Sequence, residues 1–464
     1  MLLQGKIINS NGNYYLVKAF AQEDETARSI ARLLCRPVER VDVQDLLTRV
    51  RRQLGVELLL RQTEAVHMVF RSDLSIITGS PGTGKTTVLK AVIEVFKLLK
   101  PSEKILLAAP TGRASRRMAE STGVDNASTL HSLLGLYGED GGFRKGEEDM
   151  LDAGLIIVDE SSMMDMWLAR KFFSRIGPDT KVLLVGDADQ LQSVGAGDVF
   201  RELINCGLIP VTVLNEIFRQ KKDSLIAYNA QKINNNDTSF FYGNDFTVCK
   251  CANQEEAAEH IRNIYLAQVK QYGVDRVQIL SPFRSTGAAS ADQLNEAIRE
   301  LVNPQTEEAD LKVDNHYFRI GDKVMQNRNS GKASNGDIGF IRGFRHDERD
   351  GMRIAIQFSP TRVVEYSMEE MGHVELAYAT TVHKAQGSEF DVVIFPLLRS
   401  HARMLTRSLV YTAITRAKAK VILVGQIGML YMAVHKDDTG KRNTQLGRRI
   451  ALYVNTFKVQ KRSA

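Results

Sequence analysis

The stretch Leu74-Ser-Ile-Ile-Thr-Gly79-Ser-Pro-Gly-Thr-Gly-Lys85-Thr86-Thr87 decides the fold. An apolar run ends in glycine, turns through a Gly-rich loop and opens a helical pattern on a Lys-Thr pair. That is G-x-x-x-x-G-K-[ST] in the strand–loop–helix setting that gives the pattern its meaning. Glycines let successive backbone N–H groups curl around phosphates, and the helix N-terminus adds the positive end of its dipole. Gly79, Pro81, Gly82, Thr83, Gly84, Lys85, Thr86 and Thr87 are therefore the candidate phosphate cradle. Lys85 suits the β- and γ-phosphates, and the Thr86 hydroxyl suits Mg²⁺. Beyond the loop, Val88, Leu89, Val92, Val95, Phe96 and Leu99 recur at helical spacing before a second apolar run at 104–109, which makes a βαβ unit.

The third apolar run, 154–158, leads straight into Asp159-Glu160. A strand this apolar is buried on both faces, so the two carboxylates emerge at its carboxyl end, where α/β sheets place their ligands. Asp159 suits the shell of the same Mg²⁺, and Glu160 suits polarising an attacking water. A fourth run, 181–186, ends in Gly186-Asp-Ala-Asp-Gln190, whose terminal amide is placed to sense a γ-phosphate. The set implies hydrolysis of a nucleoside triphosphate. A second stretch repeats the alternation: strands at 277–281, 391–396 and 420–425, with helices near 288–301 and 404–416. Between its halves, residues 312–375 break into short β-prone runs (316–327, 336–344, 352–358 and 362–368) separated by Gly, Asn and Asp, as in a small inserted β-barrel. Residues 137–146 are too polar and Gly-rich for a core element. Gly141-Gly142 reads there as the two-residue turn of a protruding β-hairpin.

Composition bounds the rest. With 464 residues, 43% hydrophobic and 25% charged, the chain is an ordinary globular one, long enough for several domains with cores of their own. A net charge of +6 permits a nucleic-acid partner without requiring one. Cys35, Cys206, Cys249 and Cys251 cannot form a disulfide framework at this length, and no second pair completes a zinc site with Cys249 and Cys251, so these two read as buried thiols. The first residues lack a basic-then-apolar signal, and no apolar run reaches about 18 residues. Secretion and membrane spanning are excluded on this reading, and a cytoplasmic multidomain protein is expected.

The order of motifs resembles that of superfamily 1 helicases, and within them the RecD-like 5′→3′ DNA helicases. Arg61-Gln62 is similar to the motif that reads adenine. Ala108-Ala-Pro110-Thr111-Gly-Arg113-Ala-Ser and Ser128-Thr-Leu-His131 are similar to two DNA-contact motifs, and Asp159-Glu160-Ser-Ser to motif II. Motif III resembles 186–195, motif IV Ile217-Phe-Arg219-Gln220, motif V Ala379-Thr-Thr381-Val-His383-Lys-Ala-Gln-Gly387-Ser-Glu389, and motif VI Val410-Tyr-Thr-Ala-Ile-Thr-Arg416-Ala-Lys418.

The resemblance implies an α/β fold of two RecA-like P-loop NTPase lobes. A short N-terminal segment would cover 1–57, the first lobe 58–216 with its hairpin at about 135–152, and the second lobe 217–311 and 376–464 around an SH3-like β insertion at 312–375. It implies ATP and Mg²⁺ as cofactors, with Gln62, Gly387 and Glu389 added to the nucleotide site. Lys85, Asp159, Glu160, Gln190, Arg219 and Arg416 would be catalytic, the two arginines as cis fingers on the γ-phosphate. Pro110, Thr111, Arg113, Ser128, His131, Thr381 and His383 would line a track for single-stranded DNA, contacting phosphates without reading bases. The expected protein is a monomeric motor acting on single-stranded and tailed duplex DNA in repair or recombination.

Two departures stand out. A short segment with one strand-like start and a charged helix at 24–34 precedes Gln62, where longer members carry a substantial N-terminal region, so a shortened relative or a truncated chain is expected. Motif III also has Leu191-Gln192 where a Pro would follow the Leu. The alternatives fit less well. A strand-exchange ATPase carries one lobe per chain. The motor of a conjugative relaxase would accompany a nicking centre with paired histidines, and none of the 9 His lie one or two positions apart. A DNA-dependent ATPase without unwinding activity shares every motif above.

Overall fold

The computed structural model describes residues 7–137, 142–143, 149–216, 224–305, 310–314, 316–347, 351–437 and 442–463. The chain divides into two compact units: Met1–Pro110 with Ala114–Gln220 and Thr439–Ala464, and Thr111–Arg113 with Lys221–Asp438.

The first unit is built on a parallel sheet in the order Val211–Leu214, Leu74–Gly79, Lys181–Gly186, Leu155–Val158, Ile105–Ala109, Ala127–Thr129. Its central strands, Leu74–Gly79, Lys181–Gly186 and Leu155–Val158, have no exposed face because both faces are covered. Ile156 and Val158 face one core with helices Val17–Leu34, Met166–Phe173 and Leu446–Ser463, while Leu155 and Ile157 face the other with Gln44–Leu54, Leu60–Phe70 and Lys85–Leu99. The period of two along one strand thus feeds two separate cores.

Two expected boundaries are corrected. The segment expected at 1–57 is, over its described residues 7–57, part of the first unit: the helix expected at 24–34 starts at Val17, and Ala27, Ile30 and Ala31 lie in one core while Val43, Leu47 and Val50 lie in the other. Likewise, the end of the chain leaves the second lobe, because Leu446, Ile450 and Val454 complete the same core as Ala27 and Ile30. A buried charge fixes this pairing of the two ends. Glu23, 3% exposed, accepts from Arg449 Nε (2.9 Å), the Thr444 hydroxyl (2.9 Å), the Tyr15 hydroxyl (3.2 Å) and the Gln445 N–H (3.2 Å).

The expected hairpin begins as a ladder in which Leu136 pairs with Phe143 and Tyr137 with Gly142. Gly142 therefore lies in a strand rather than in the turn, and residues 138–141, with Gly141, are outside the described residues.

The second unit repeats the design with a parallel sheet in the order Phe246–Lys250, Ala417–Gly425, Phe390–Leu397, Val277–Ser281, Ala379–Thr381. Helices Gln254–Tyr272 and Ala291–Val302 cover one face through a core that includes Ile261, Leu294 and Ile298. The insertion is an antiparallel sheet in the order Arg362–Ser367, Gly351–Ser359, Ile338–Asp347, Lys323–Gln326, Val374–Leu376, with its own core around Phe318, Ile341, Ile354 and Ile356. Lys323, fully buried, joins it to the parallel sheet: its ammonium donates to the carbonyls of Val274 (2.9 Å) and Val277 (3.0 Å) and to Gln278 Oε1 (3.1 Å). Of the two thiols, Cys251 is buried and Cys249 only half-buried, beside His260 Nδ1 at 3.2 Å.

Glu23→Gln leaves the buried Arg449 guanidinium with only its longer pair to Asp24 (3.6 Å), and breaking the closer buried pair costs up to about 3–5 kcal/mol. Urea unfolding is expected to show it, with most of the loss recovered in the Glu23→Leu, Arg449→Met double variant. A cost near zero for Glu23→Gln contradicts the role given to the pair.

Candidate functional site

The loop after Leu74–Gly79 is shaped by its glycines. Gly82 and Gly84 both have φ of +84°, a region open to glycine at no steric cost. Gly84 caps helix Lys85–Leu99 without a side-chain hydrogen bond, so the first-turn N–H groups have no side-chain acceptor and favour an anion. Lys85 folds its ammonium back onto the carbonyls of Gly79 and Ser80, and the Thr83 hydroxyl donates to the Ser80 carbonyl at 2.8 Å. Gly79 passes so close to the neighbouring strand that an added Cβ would sit 2.5 Å from the Leu214 carbonyl oxygen.

Gln62 is 1% exposed and spans two elements. Its Oε1 accepts from the Leu59 N–H at 3.0 Å, at the start of helix Leu60–Phe70, and its Nε2 donates to the Thr83 carbonyl at 2.9 Å. One N–H and one lone pair of the amide remain beyond these two bonds. The Gln62 position is thus tied to the shape of the phosphate loop, a link that spacing alone does not reveal.

Asp159 and Glu160 emerge where the sequence places them, at the carboxyl end of Leu155–Val158. Glu160 has φ of +50°, which costs a residue with a side chain about 1–3 kcal/mol. The turn is held by the Glu160 N–H on Asp159 Oδ1 (2.8 Å) and the Ser161 hydroxyl on the Val158 carbonyl (2.8 Å). Burial and the adjacent Glu160 carboxylate push Asp159 above the usual carboxylate range, with Arg117 and Lys85 opposing. Arg117 lies 4.0 Å from Glu160; it sits on helix Gly112–Thr122, and only the fold reveals its neighbour. Two oxygen-rich side chains, the Thr86 hydroxyl and the Asp159 carboxylate, make a donor set of the kind a hard cation such as Mg²⁺ takes. Negative charge crowded at Asp159-Glu160 fits it too.

Gln190, 4% exposed, donates to Asp187 Oδ2 at 3.1 Å, and the Ala188 N–H donates to the Thr78 hydroxyl at 3.3 Å. The motif III loop is thereby joined to the strand that feeds the phosphate loop. On the same sheet, Ala108 pairs with Ser128 and Ala109 with Thr129, so the chain leaves at Pro110 beside Leu130-His131. Burial lowers the His131 pKa, with Asp165 opposing, and its ring lies tilted on Trp167 at 6.0 Å. Thr111 directly precedes helix Gly112–Thr122, and Arg113 is its second residue.

In the second unit, Arg416 is 2% exposed and donates to the Ser388 carbonyl at 3.2 Å, joining motif VI to motif V. Gly387 takes φ of +73° beside it, and Glu389 pairs with Lys418 at 3.4 Å. Arg219 lies outside the described residues. Thr381 ends the edge strand Ala379–Thr381, and its hydroxyl accepts from the Lys384 N–H at 3.4 Å, one residue beyond His383. Thr381 and Lys384 line a cleft of about 190 Å³ with Arg284, His316 and Glu375. Lys384 pairs with Glu375, and Arg284 reaches the same carboxylate at 3.4 Å. These three neighbours escape sequence reasoning because they come from a helix approach, the insertion and its return strand.

Three family models match in order: "AAA domain" over residues 62–196, "ATP-dependent RecD-like DNA helicase SH3 domain" over 294–358 and "UvrD-like helicase C-terminal domain" over 376–424. The chain is 33% identical over 95% of its length to the ATP-dependent RecD2 DNA helicase of Deinococcus radiodurans. The chain is RecD-like. It is also 28% identical, over 81% of its length and 72% of the relative's, to the RecBCD enzyme subunit RecD of Mycolicibacterium smegmatis. A crystal structure of Pif1 helicase from Candida albicans superimposes with a TM-score of 0.49 and 17% identity over 87% of this chain and 100% of that one. This RecD-like chain spans 59% of the length of the Deinococcus relative. Among its described residues, no helix is long and apolar enough to cross a membrane.

Gly79→Ala drives a Cβ against a backbone oxygen that cannot swing away, because Leu214 is paired to Gly79 in the sheet. Overpacking of this kind costs about 1–3 kcal/mol, and the loop must shift to relieve it. Thermal unfolding and titration with a fluorescent ATP analogue are expected to show lower stability together with weaker binding. Parental affinity in this variant contradicts the loop geometry described.

Proposed function

We propose that this RecD-like chain is an ATP-dependent 5′→3′ DNA helicase that translocates on single-stranded DNA and opens tailed duplexes. The observation that carries the reading is the junction in one sheet of an uncapped, Gly-shaped helix N-terminus, the Asp159-Glu160 pair and the Gln190 amide. The Deinococcus relative and the RecD-like SH3 match, both described as DNA helicases, support DNA as the substrate; the polarity rests on the resemblance of the motif set.

In this reading the loop N–H groups and Lys85 take the β- and γ-phosphates of ATP, while Gln62 offers its remaining donor and acceptor to the adenine edge. Gly387 and Glu389 complete the nucleotide contacts. Thr86 and Asp159 would hold Mg²⁺, which supplies charge neutralisation on the phosphate oxygens. Glu160 accepts a proton from the attacking water, and its left-handed backbone turns the carboxylate out of the strand direction. Gln190 reports the γ-phosphate to the loop that follows it. Arg219 and Arg416 supply cationic stabilisation to the transferred phosphoryl group. Pro110, Thr111, Arg113, Ser128, His131, Thr381 and His383 contact the DNA backbone, which fits hydroxyls and amide dipoles without base readout. The chain works as a monomer in the cytoplasm, in DNA repair or recombination.

The test is DNA-stimulated ATP turnover. Glu160→Gln is expected to lose turnover by about 10²–10⁴, the range for removing a general base, while binding ATP like the parent. Lys85→Ala is expected to lose turnover and ATP affinity together. Turnover at the parental rate in Glu160→Gln contradicts the assignment.

A further inference from the structure

The chain crosses into the second unit at Lys221 and belongs to the first again from Thr439. Arg442, near that return, is half-buried and donates to an unusual set of acceptors. Its Nη1 reaches the carbonyls of Gly195 (2.6 Å) and Gly197 and the Ser193 hydroxyl (3.2 Å), and its Nη2 reaches the Ser193 carbonyl. Three backbone carbonyls at alternate residues thus turn toward one planar cation, which matches the fork of guanidinium donors.

The opposite side of the loop is pinned as tightly. The Ala196 carbonyl accepts from the Met166 N–H at 2.9 Å, and a Cβ on Gly195 would lie 2.0 Å from Asp165 Oδ2. Gln192, where the resemblance predicts a Pro, closes the loop by donating to Asp198 Oδ2 at 2.7 Å. The segment between Gln190 and helix Val199–Asn205 is therefore clamped between Asp165-Met166 and Arg442. Within it the Ser193 hydroxyl donates to the Gly195 carbonyl at 3.2 Å, while the guanidinium spans all three carbonyls.

We propose that Arg442 is a positioning residue for Gln190: the caged guanidinium fixes the loop that carries the γ-phosphate-sensing amide. The segment after the second unit thereby sets the efficiency of hydrolysis in the first. This rests on the reading of Gln190 as that sensor. The clamp acts on geometry rather than on nucleotide contacts, so its loss lowers kcat and leaves ATP binding intact.

The test uses the full chain with saturating single-stranded DNA and four variants: Gln190→Ala, Arg442→Ala, Arg442→Lys and Tyr453→Phe. Tyr453 holds helix Leu446–Ser463, which follows Arg442, to Asp24 at 2.8 Å, away from the loop, so its variant controls for general loosening. Arg442→Ala is expected to lower kcat by about 10- to 100-fold, the scale of a misplaced catalytic group, with KM for ATP and nucleotide affinity unchanged. Arg442→Lys keeps a cation with three donors and is expected to recover part of kcat; it also carries the test should the alanine variant unfold. Parental kcat in both Arg442 variants, with Gln190→Ala slow, overturns the clamp and leaves the sensor standing. Parental kcat in Gln190→Ala overturns the sensor and the clamp with it. An equal fall of kcat in Tyr453→Phe overturns the clamp, since it would then reflect loosening of the helix alone.

Discussion

Burial of the parallel strands on both faces is the constraint on which the rest depends. Leu155, Ile156, Ile157 and Val158 are all 0% exposed. A charged or unpaired polar side chain within such a run would lose its hydration with nothing to replace it. Polar chemistry is therefore displaced to the strand ends, and parallel pairing sends all the carboxyl ends to one edge of the sheet. The phosphate loop, Asp159-Glu160, Asp187–Gln190, Pro110 and His131 meet there because the chain has nowhere else to put them.

That edge is held by local compromises. Glu160 keeps a left-handed backbone, Gly79 touches a neighbouring strand that tolerates no Cβ, and Asp159 retains a carboxylate beside another. The stability that sustains these comes from elsewhere: two cores on opposite faces, and the Glu23–Arg449 pair that brings the ends of the chain together. The second unit follows the same rule, with Lys323 satisfying backbone carbonyls where an antiparallel insertion meets a parallel sheet.

What was legible in the sequence was what is local. The phosphate loop, the Asp-Glu pair and the strands around them are written in consecutive residues, and apolar runs of that kind have few other solutions in a chain of this length. The β insertion was legible from its change of period and its turn residues. Long-range partners were not. Glu23 and Arg449 are 426 residues apart, Gln278 meets Lys323 across the insertion, and Arg442 carries no local mark that separates it from other surface arginines. The hairpin was read as paired strands but with Gly142 in its turn, because a glycine serves a ladder as readily as a bend. The tail was assigned to the second lobe by sequence neighbourhood, whereas its apolar stripe was made for the first.

The central proposal is that ATP hydrolysis at this edge drives the chain along DNA in one direction. Strand displacement from duplexes carrying a single-stranded tail on the 5′ or the 3′ side, in the presence of ATP and Mg²⁺, measures it most directly. Release of the complementary strand from the 5′-tailed duplex, with the 3′-tailed duplex left intact, is the result expected. Preferential release from the 3′-tailed duplex, or no release from either while DNA-stimulated hydrolysis proceeds, contradicts it.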